Sequence, residues 1–325
     1  MPKCIRWHPK TVNFQQLRSA RETVRQGFNL TTVAEVLHTS QPGVSRQIRE
    51  LEDELGLDLF LRSGKRLVGL TEPGQAVMPI IERLLQEADS LRHAGADFAK
   101  ARQGQLRVAA THSQARYALP HAVRDFRAAY PAVSLHLSQG TGRQVADLLL
   151  QGEADIGIAT EALADVDDLV ALPCYRWTHS VVVPHGHPLA EADRAGQPLA
   201  LEQLAAWPLV TYEPGTTGRS HIDQAFGRAG LAANVVLSAM DADVIKTYVE
   251  LGLGVGLIAA IAYDPVRDPA LHGIATHHLF EANTTRLALR RGSYLRDFGY
   301  AFISTFAPTL TRAVVEQALA PGDRR

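Results

Sequence analysis

The spacing of apolar residues predicts a small helical module near the N-terminus. A first helix is expected over 14–25, ended by Gly27, and one of its faces carries Phe14, Leu17, Ala20 and Val24. A second is expected over 31–37, with Val33, Ala34 and Leu37 on its buried side. A third follows Ser40, a residue suited to cap a helix, and ends at Gly56. Apolar residues recur along it at helical spacing: Val44, Ile48, Leu51 and Leu55.

The second and third helices have the arrangement of a helix-turn-helix, whose second helix presents polar side chains at its N-terminal end to the major groove of DNA. Pro42 is tolerated there because its missing N–H falls in the first turn. Several residues are therefore candidates for base or phosphate contact: Thr39, Ser40, Gln41, Pro42, Ser45, Arg46, Gln47 and Arg49. The alternative is an ordinary packed helix pair with solvated arginines.

After Gly56 the pattern indicates a two-stranded β-ribbon, with Phe60 in the core and a basic turn over 62–66. A ribbon beside a recognition helix makes a winged helix-turn-helix. Arg62, Lys65 and Arg66 are then expected to lie along DNA phosphates, where cations give affinity that is independent of sequence. A solvated hairpin tip is the alternative.

A long helix is predicted from its cap, Thr71, to about residue 100. Its apolar positions are Val77, Ile80, Ile81, Leu84, Leu85, Ala88 and Leu91. A stripe of this length is typical of a coiled coil and indicates dimerisation. Pro79 is expected to kink the helix or to delay its regular start.

From residue 105 onward, predicted strands alternate with helices, which is typical of βαβ units and a parallel sheet. Strands are expected over 106–110, 133–137, 154–159, 168–173, 179–184, 209–212, 235–239 and 287–290. Helices are expected over 115–130, 143–151, 201–205, 218–229, 241–251 and 295–306, and a turn over 185–189. The chain is expected to cross between two α/β lobes near 174–178 and again near 275–279.

These patterns divide the chain into four parts. They are an N-terminal tail (1–12), a DNA-binding domain (13–71), a linker and dimerisation helix with its hinge (72–104) and a domain of two α/β lobes (105–325). Within the last part, lobe I covers 105–175 and 277–325, and lobe II covers 176–276. If translation starts at Val12, the first residues are absent from the native protein.

Composition narrows the class of protein without pointing to DNA. The chain has 325 residues, a net charge of -1 and 46% hydrophobic residues, as globular proteins of more than one domain do. The segment from Phe14 to Thr71 contains eight basic and seven acidic residues. Its positive charge must therefore be segregated to one surface if the segment is to bind DNA. Two distant cysteines indicate neither disulfides nor a metal centre. No apolar run or signal sequence indicates a membrane or export, so a cytoplasmic location is expected.

The sequence argues against two other classes of protein. The run GLGVG over 252–256 lacks the Lys-Ser/Thr of a phosphate-binding loop, and no catalytic triad or metal cluster has recognisable context, so an enzyme is not expected. A solute-binding protein would share the two lobes, but the first hundred residues argue against it.

The order of winged helix-turn-helix, long helix and two α/β lobes resembles the LysR-type transcriptional regulators. The residues that carry the resemblance are Ala34, the run TSQPGVSRQIRELEDELG over 39–56, Phe60, Arg62 and the run TEPG over 71–74. Within that family the chain is similar to regulators of cysteine biosynthesis and sulfur assimilation, on the runs RSGK (62–65), ATHSQARYALP (110–120), ATEAL (159–163), LPCYRW (172–177), TGRS (217–220) and DADVIKTYVELGLGVGLIA (241–259). A LysR-type regulator of another pathway is the alternative.

The resemblance implies an effector-responsive activator, a homotetramer, that binds promoter DNA of sulfate uptake and reduction genes, with RNA polymerase as a further partner and no cofactor. It implies that N-acetylserine, O-acetylserine or sulfate binds between the lobes. The residues that it carries over for this site are Thr111, Ser113, Gln114, Thr160 and Trp177.

The sequence supports the first three of these independently. Thr111 follows a strand and a helix begins near Ser113, so hydroxyls, the Gln114 amide and free N–H groups could bind an anion. Thr111 and Ser113 could instead be simple caps, and Trp177 could be a core residue. Glu213 stands where those regulators tend to carry a small hydroxyl residue. Either it turns to solvent, or the protein prefers a ligand with an amino group, since a carboxylate repels sulfate.

Overall fold

The computed structural model describes residues 12–64, 66–100 and 103–320. The expectations for 1–11, for Lys65 and for residues 101–102 of the hinge lie outside these ranges. The chain divides into two compact units between His93 and Ala94.

The first unit is a winged helix-turn-helix, as predicted. Its elements are α1 (Phe14–Arg25), α2 (Leu30–Val36), α3 (Gln41–Leu55), β1 (Phe60–Ser63), β2 (Arg66–Leu70) and α4 (Glu72–Lys100), which continues past the unit boundary. Its core is built from Leu17, Ala20, Val33, Ala34, Val44, Ile48, Leu51, Leu59, Phe60, Leu67, Met78, Ile81 and Leu85. Phe14 and Leu55, which belong to the predicted apolar faces of α1 and α3, are exposed. Each is the terminal residue of its helix, where packing against the neighbouring helices ends.

Helix α4 begins where the ribbon returns to the core. The Thr71 hydroxyl accepts a hydrogen bond from the Gly74 amide at 3.0 Å and donates one to the Asp58 carbonyl at 2.6 Å. A Cβ atom on Gly74 would lie 2.1 Å from the Leu59 carbonyl oxygen. The first turn of α4 is therefore fastened against the loop before the ribbon.

The apolar residues of α4 lie on two faces instead of the one stripe that was predicted. Ile81 and Leu85 pack into the core of the first unit, together with Met78. Ile80, Leu84 and Leu91 remain exposed, and Leu91 exposes 75% of its surface. The helix runs unbroken through Pro79. The exposed face is the one available to a partner.

The second unit holds two five-stranded sheets. Its strands are β3 (Gly104–Ala110), β4 (Val133–Gln139), β5 (Ile156–Ala159), β6 (Leu169–Trp177), β7 (His179–Pro184), β8 (Leu209–Tyr212), β9 (Val235–Ala239), β10 (Val255–Ala259), β11 (Leu271–Ala275) and β12 (Asn283–Arg290). Its α-helices are α5 (Leu119–Ala129), α6 (Gly142–Leu150), α7 (Pro188–Arg194), α8 (Leu201–Ala205), α9 (Thr217–Arg228), α10 (Ala242–Glu250), α11 (Asp297–Phe306) and α12 (Arg312–Leu319). A π-helical turn, Gln114–Ala118, precedes α5.

The predicted parallel pairs are present in both sheets, but each sheet also contains antiparallel strands and is therefore mixed. Lobe I has the order β4-β3-β5-β12-β6, with β12 antiparallel to β5 and β6. Lobe II has the order β11-β7-β10-β8-β9, with β7 antiparallel to β10 and β11. The antiparallel strands β7 and β12 are the first strands after each crossover. Each of these strands enters its sheet from the other lobe and therefore runs opposite to the parallel strands of the βαβ units.

The first crossover is a single residue, Thr178, between β6 and β7, so the strand of lobe I continues to Trp177. Four elements were not predicted: α7, β10, β11 and α12. Helix α7 starts inside the stretch that was interpreted as a turn, with the His187 side chain accepting from the Leu189 amide. Trp177, the residue before the first crossover, lines the cleft between the lobes.

Candidate functional site

The first candidate site is the polar face of α3. Ser40 caps this helix, and its hydroxyl accepts from the Gly43 amide at 3.2 Å. Arg46 projects from the next turn with 80% of its side chain exposed, steadied by Glu50 at 2.7 Å. Arg49 is also exposed and donates to the Ser45 hydroxyl at 3.3 Å. Both guanidinium groups therefore lie where DNA could reach them.

The other candidates on this helix are placed differently from one another. Thr39, Gln41 and Pro42 are exposed at its start. Gln47 is half-buried, and its amide oxygen accepts a hydrogen bond from the buried Ser19 hydroxyl of α1. That bond turns the oxygen of Gln47 toward the core of the unit, away from the outer face.

The ribbon borders the same face. A groove of about 530 Å³ lies between α3 and the ribbon, and its walls include Ser45, Arg46, Arg49, Arg62 and Gly64. Arg66 is exposed on β2. Arg62 instead pairs with Glu52, a buried residue of α3.

The second candidate site is a cleft of about 280 Å³ between the two lobes of the second unit. All six residues proposed for an effector line it: Thr111, Ser113, Gln114, Thr160, Trp177 and Glu213. Thr111 and Thr160 directly follow β3 and β5, whose carboxyl ends meet at this edge of the sheet. The structure thus brings these residues together.

Helix N-termini point positive dipole ends toward the cleft. Thr141 caps α6 through the Gln144 amide, and Thr216 caps α9 through the Arg219 amide. Both caps line the cleft, as does His112, where the helical stretch before α5 begins. Among the lining residues Arg143 is the one guanidinium and Glu213 the one carboxylate. Together with the helix ends, this favours an anionic ligand.

Gln114 is placed differently from the prediction. It is buried, its amide nitrogen donates to the Thr285 hydroxyl at 3.0 Å, and its amide oxygen accepts from the Tyr175 hydroxyl. Its carboxamide is therefore committed to lobe I. Its backbone remains at the edge of the cleft.

A hydroxyl pair joins the two lobes at the cleft. The Thr160 and Thr217 oxygen atoms lie 2.7 Å apart, one in each lobe. Trp177 forms the adjacent wall, and a Cβ atom on Gly218 would lie 3.5 Å from its ring. The two lobes are therefore in direct contact at this point of the cleft.

Glu213 lies at the rim with an exposed side chain. Its backbone is held instead: its amide donates to the Ala239 carbonyl at 3.2 Å, and its carbonyl accepts from the Thr216 hydroxyl at 3.1 Å. The carboxylate is thus free to turn toward solvent, which was one of the two expectations for it.

Behind the Trp177 wall lies His179, which is fully buried. Burial, followed by the neighbouring His221, lowers the pKa of His179 to about 4. The imidazole is therefore neutral at pH 7. Its ring packs against Trp177 with the ring centroids 5.4 Å apart.

A charged network joins the lobes beside the cleft. The Tyr117 hydroxyl of lobe I donates to Asp243 of α10 at 2.6 Å, and Arg116 pairs with the same carboxylate at 3.0 Å. Lys246, which is also on α10, lies 3.0 Å from Asp243 and 2.8 Å from the buried Asp268. Burial and the bond to Asp243 raise the pKa of Tyr117 well above its usual value. Tyr117 therefore remains a hydrogen-bond donor to Asp243.

Several lining residues were missed from the sequence. They are Tyr212, Thr216 and Thr217 of lobe II, and Thr141 and Arg143 of lobe I. The two Gly-Thr pairs before α6 and α9 carried a usable signal, because threonine before a helix is a common cap. Their convergence on one cleft depends on the two crossovers, which residue spacing does not specify.

The part of the chain that the structure describes contains no helix long and apolar enough to cross a bilayer. In the same residues, no three His, Cys, Asp or Glu side chains are grouped so that they could hold a metal ion.

The fold and the two sites define a DNA-binding regulator with a ligand-binding domain, and comparison with known proteins identifies the family. Residues 14–75 match the bacterial regulatory helix-turn-helix protein family of lysR type, and residues 99–310 match the LysR substrate binding domain. The chain belongs to the LysR family of transcriptional regulators and is not an enzyme.

Its relatives include named bacterial regulators. It is 57% identical to the HTH-type transcriptional regulator SsuR of Burkholderia cenocepacia, over 94% of this chain and 97% of the relative. It is 51% identical to CysB of the same organism, over 95% and 97%. The solved cofactor-binding domain of the Cbl transcriptional regulator matches with a TM-score of 0.64 at 48% identity, over 67% of this chain and 95% of that one.

Proposed function

We propose that this LysR-type regulator controls genes of cysteine biosynthesis and sulfate assimilation, and that a small anionic effector bound between its lobes sets its activity. The observation that carries the proposal is the cleft itself. Three helix N-termini, two of them capped by threonine, open onto it beside one guanidinium and one carboxylate. N-acetylserine, O-acetylserine and sulfate carry the carboxylate or oxyanion that such a site would bind. The similarity to CysB and Cbl supports the same pathway.

The protein acts in this proposal as a cytoplasmic homo-oligomer on promoter DNA. The exposed apolar face of α4, with Ile80, Leu84 and Leu91, supports dimerisation, since coiled-coil pairing would bury it. A tetramer and a contact with RNA polymerase belong to the same proposal. Sedimentation of the full chain tests the oligomer, and replacing Leu84 with Lys is expected to shift it toward smaller species.

Calorimetry with the full chain tests the effector. Sulfate, N-acetylserine and O-acetylserine are titrated separately into the wild-type protein and into Thr160→Val, which removes one hydroxyl from the cleft. At least one ligand is expected to bind the wild type, and Thr160→Val is expected to weaken it about tenfold, the effect of one lost hydrogen bond to a charged group. Failure of all three ligands to bind would refute the assigned effector class and leave the family unaffected.

Glu213 makes the ligand choice testable. The proposal is that its carboxylate weakens sulfate binding and favours O-acetylserine, which carries a free amino group. Glu213→Gln is expected to strengthen sulfate and weaken O-acetylserine, because it removes a negative charge from the rim. Glu202→Gln, in α8 and away from the cleft, is the matched control. If sulfate already binds the wild type as tightly as O-acetylserine does, Glu213 does not select the ligand.

A further inference from the structure

One buried carboxylate connects the recognition helix to the ribbon. Glu52 lies in the last turns of α3, and 6% of its side chain is exposed. Its Oε1 atom accepts from the Leu59 amide at 2.9 Å and from the Phe60 amide at 3.1 Å. Its Oε2 atom accepts from the Arg62 guanidinium. Both oxygens of one α3 side chain therefore hold the beginning of the ribbon.

The two cations of the ribbon that the structure describes have different surroundings. Arg62 exposes 37% of its side chain and is paired with Glu52. Arg66, opposite Ser63 in the ribbon, is exposed. A buried carboxylate is stable only if cations and N–H groups satisfy it. The buried Glu52 thus needs Arg62 as its partner, whereas the charge of Arg66 is available to a ligand.

We propose that Glu52 is a positioning residue for DNA binding and that Arg62 is its partner, not a phosphate contact. The pair fixes the ribbon against α3, so that the helix and the ribbon meet DNA as one rigid body. It adds no net charge to the DNA-binding face. The proposal rests on DNA binding by the first unit and names a residue that sets the geometry of that binding.

The groove described above shows what the pair controls. Ser45 and Arg49 of α3 form one wall, and Gly64 and Leu67 at the ribbon form the other. The register of β1 and β2 pairs Arg62 with Leu67, which is buried in the core. If the ribbon were released from Glu52, the two walls of the groove could move relative to each other. The spacing between the contacts to DNA bases and the contacts to the DNA backbone would then no longer be fixed.

Salt dependence separates a positioning pair from a phosphate contact. Each phosphate contact contributes about 0.9 to the slope of log affinity against log salt. The full chain is titrated by fluorescence anisotropy with a duplex that the wild type has selected from random sequences, and with a mixed-sequence duplex of equal length. Four proteins are compared: wild type, Glu52→Gln/Arg62→Gln, Glu52→Gln and Arg66→Gln.

The double variant is expected to keep the wild-type salt slope, because it removes two opposite charges. Its preference for the selected duplex is expected to fall about tenfold, comparable to one misread base pair. Glu52→Gln alone is expected to steepen the slope by up to about 0.9, because Arg62 is released. Arg66→Gln is expected to lower the slope by about 0.9 and to keep the preference.

A double variant whose slope falls as far as that of Arg66→Gln would make Arg62 a phosphate contact and overturn the proposal. An unchanged preference in the double variant would overturn the positioning role. If the double variant unfolds in a circular-dichroism melt, Arg62→Lys carries the test. It keeps a cation beside Glu52 and is expected to retain both slope and preference, and a lost preference would refute the proposal. A wild-type protein that shows no salt-dependent DNA binding would instead refute the proposed DNA-binding function itself.

Discussion

Replacing Lys246 with methionine is expected to destabilise the second unit strongly. The ammonium group is buried, and it donates to the Ala262 carbonyl at 2.9 Å and to Asp268 at 2.8 Å. Asp268 is buried as well, so the substitution leaves its carboxylate without a cation. Removing one partner of a buried ion pair costs about 3–5 kcal/mol. For a unit of this size, about 2–4 °C of melting temperature is lost per kcal/mol, which gives a decrease of roughly 6–20 °C.

Tryptophan fluorescence during thermal unfolding measures this unit well, because Trp177 and Trp207 both lie in it. Lys246→Met/Asp268→Asn removes both charges and is expected to recover most of the loss, since no unpaired ion remains. Arg124→Met breaks an exposed pair and is the control, with an expected change below about 1 kcal/mol. A Lys246→Met protein that melts within about 2 °C of the wild type would show that Asp268 does not depend on this cation.

Three further outcomes are expected. Gly74→Ala should lower the urea midpoint by the equivalent of about 1–3 kcal/mol, because its Cβ atom would lie 2.1 Å from a backbone oxygen; Gly95→Ala, in the same helix with open space around it, should be neutral or stabilising. His179 has a folded pKa of about 4 against an ordinary 6.5, so the unfolded chain binds the proton first as the pH falls. Stability is therefore lost between pH 6.5 and about 4, by roughly 3 kcal/mol, and His179→Asn should flatten that dependence in denaturation measured across this range. Arg46→Ala should reduce discrimination among DNA sequences, whereas Lys65→Ala should weaken all DNA alike and lower the salt slope; identical profiles in binding titrations would contradict this division.

The elements that the sequence predicted best have clear boundaries of their own. Helix α1 and strands β7 and β8 start and end where predicted, since Gly, Pro or a cap flanks an apolar pattern of the right period. Strand β11 was missed because LHGIA is short and contains Gly273. A Cβ atom on Gly273 would lie 2.3 Å from the Tyr263 ring, so tertiary packing decides the identity of this residue.

The candidate cleft could be predicted on one side only. Thr111 and Thr160 follow strands, and the ends of parallel strands share one edge of a sheet, so their proximity follows from local patterns. Tyr212 and Thr217 come from the other lobe, and their approach depends on a crossover through Thr178. The same difficulty applies to helix α4. Its sequence shows one series of apolar residues, and their spacing does not tell which of them pack into the core and which remain exposed.

In the π-helical turn Gln114–Ala118, the number of residues matters more than the identity of each residue. A wider turn of this kind places an extra residue in the helix, and each residue of an α-helix rotates the chain by about 100°. Gln114 faces the core of lobe I, while Tyr117 reaches Asp243 in lobe II. Deleting one alanine from this turn would restore ordinary pitch and leave only one of these two bonds in reach. Substitutions of the alanines should therefore be tolerated far better than a one-residue deletion, which would uncouple the lobes.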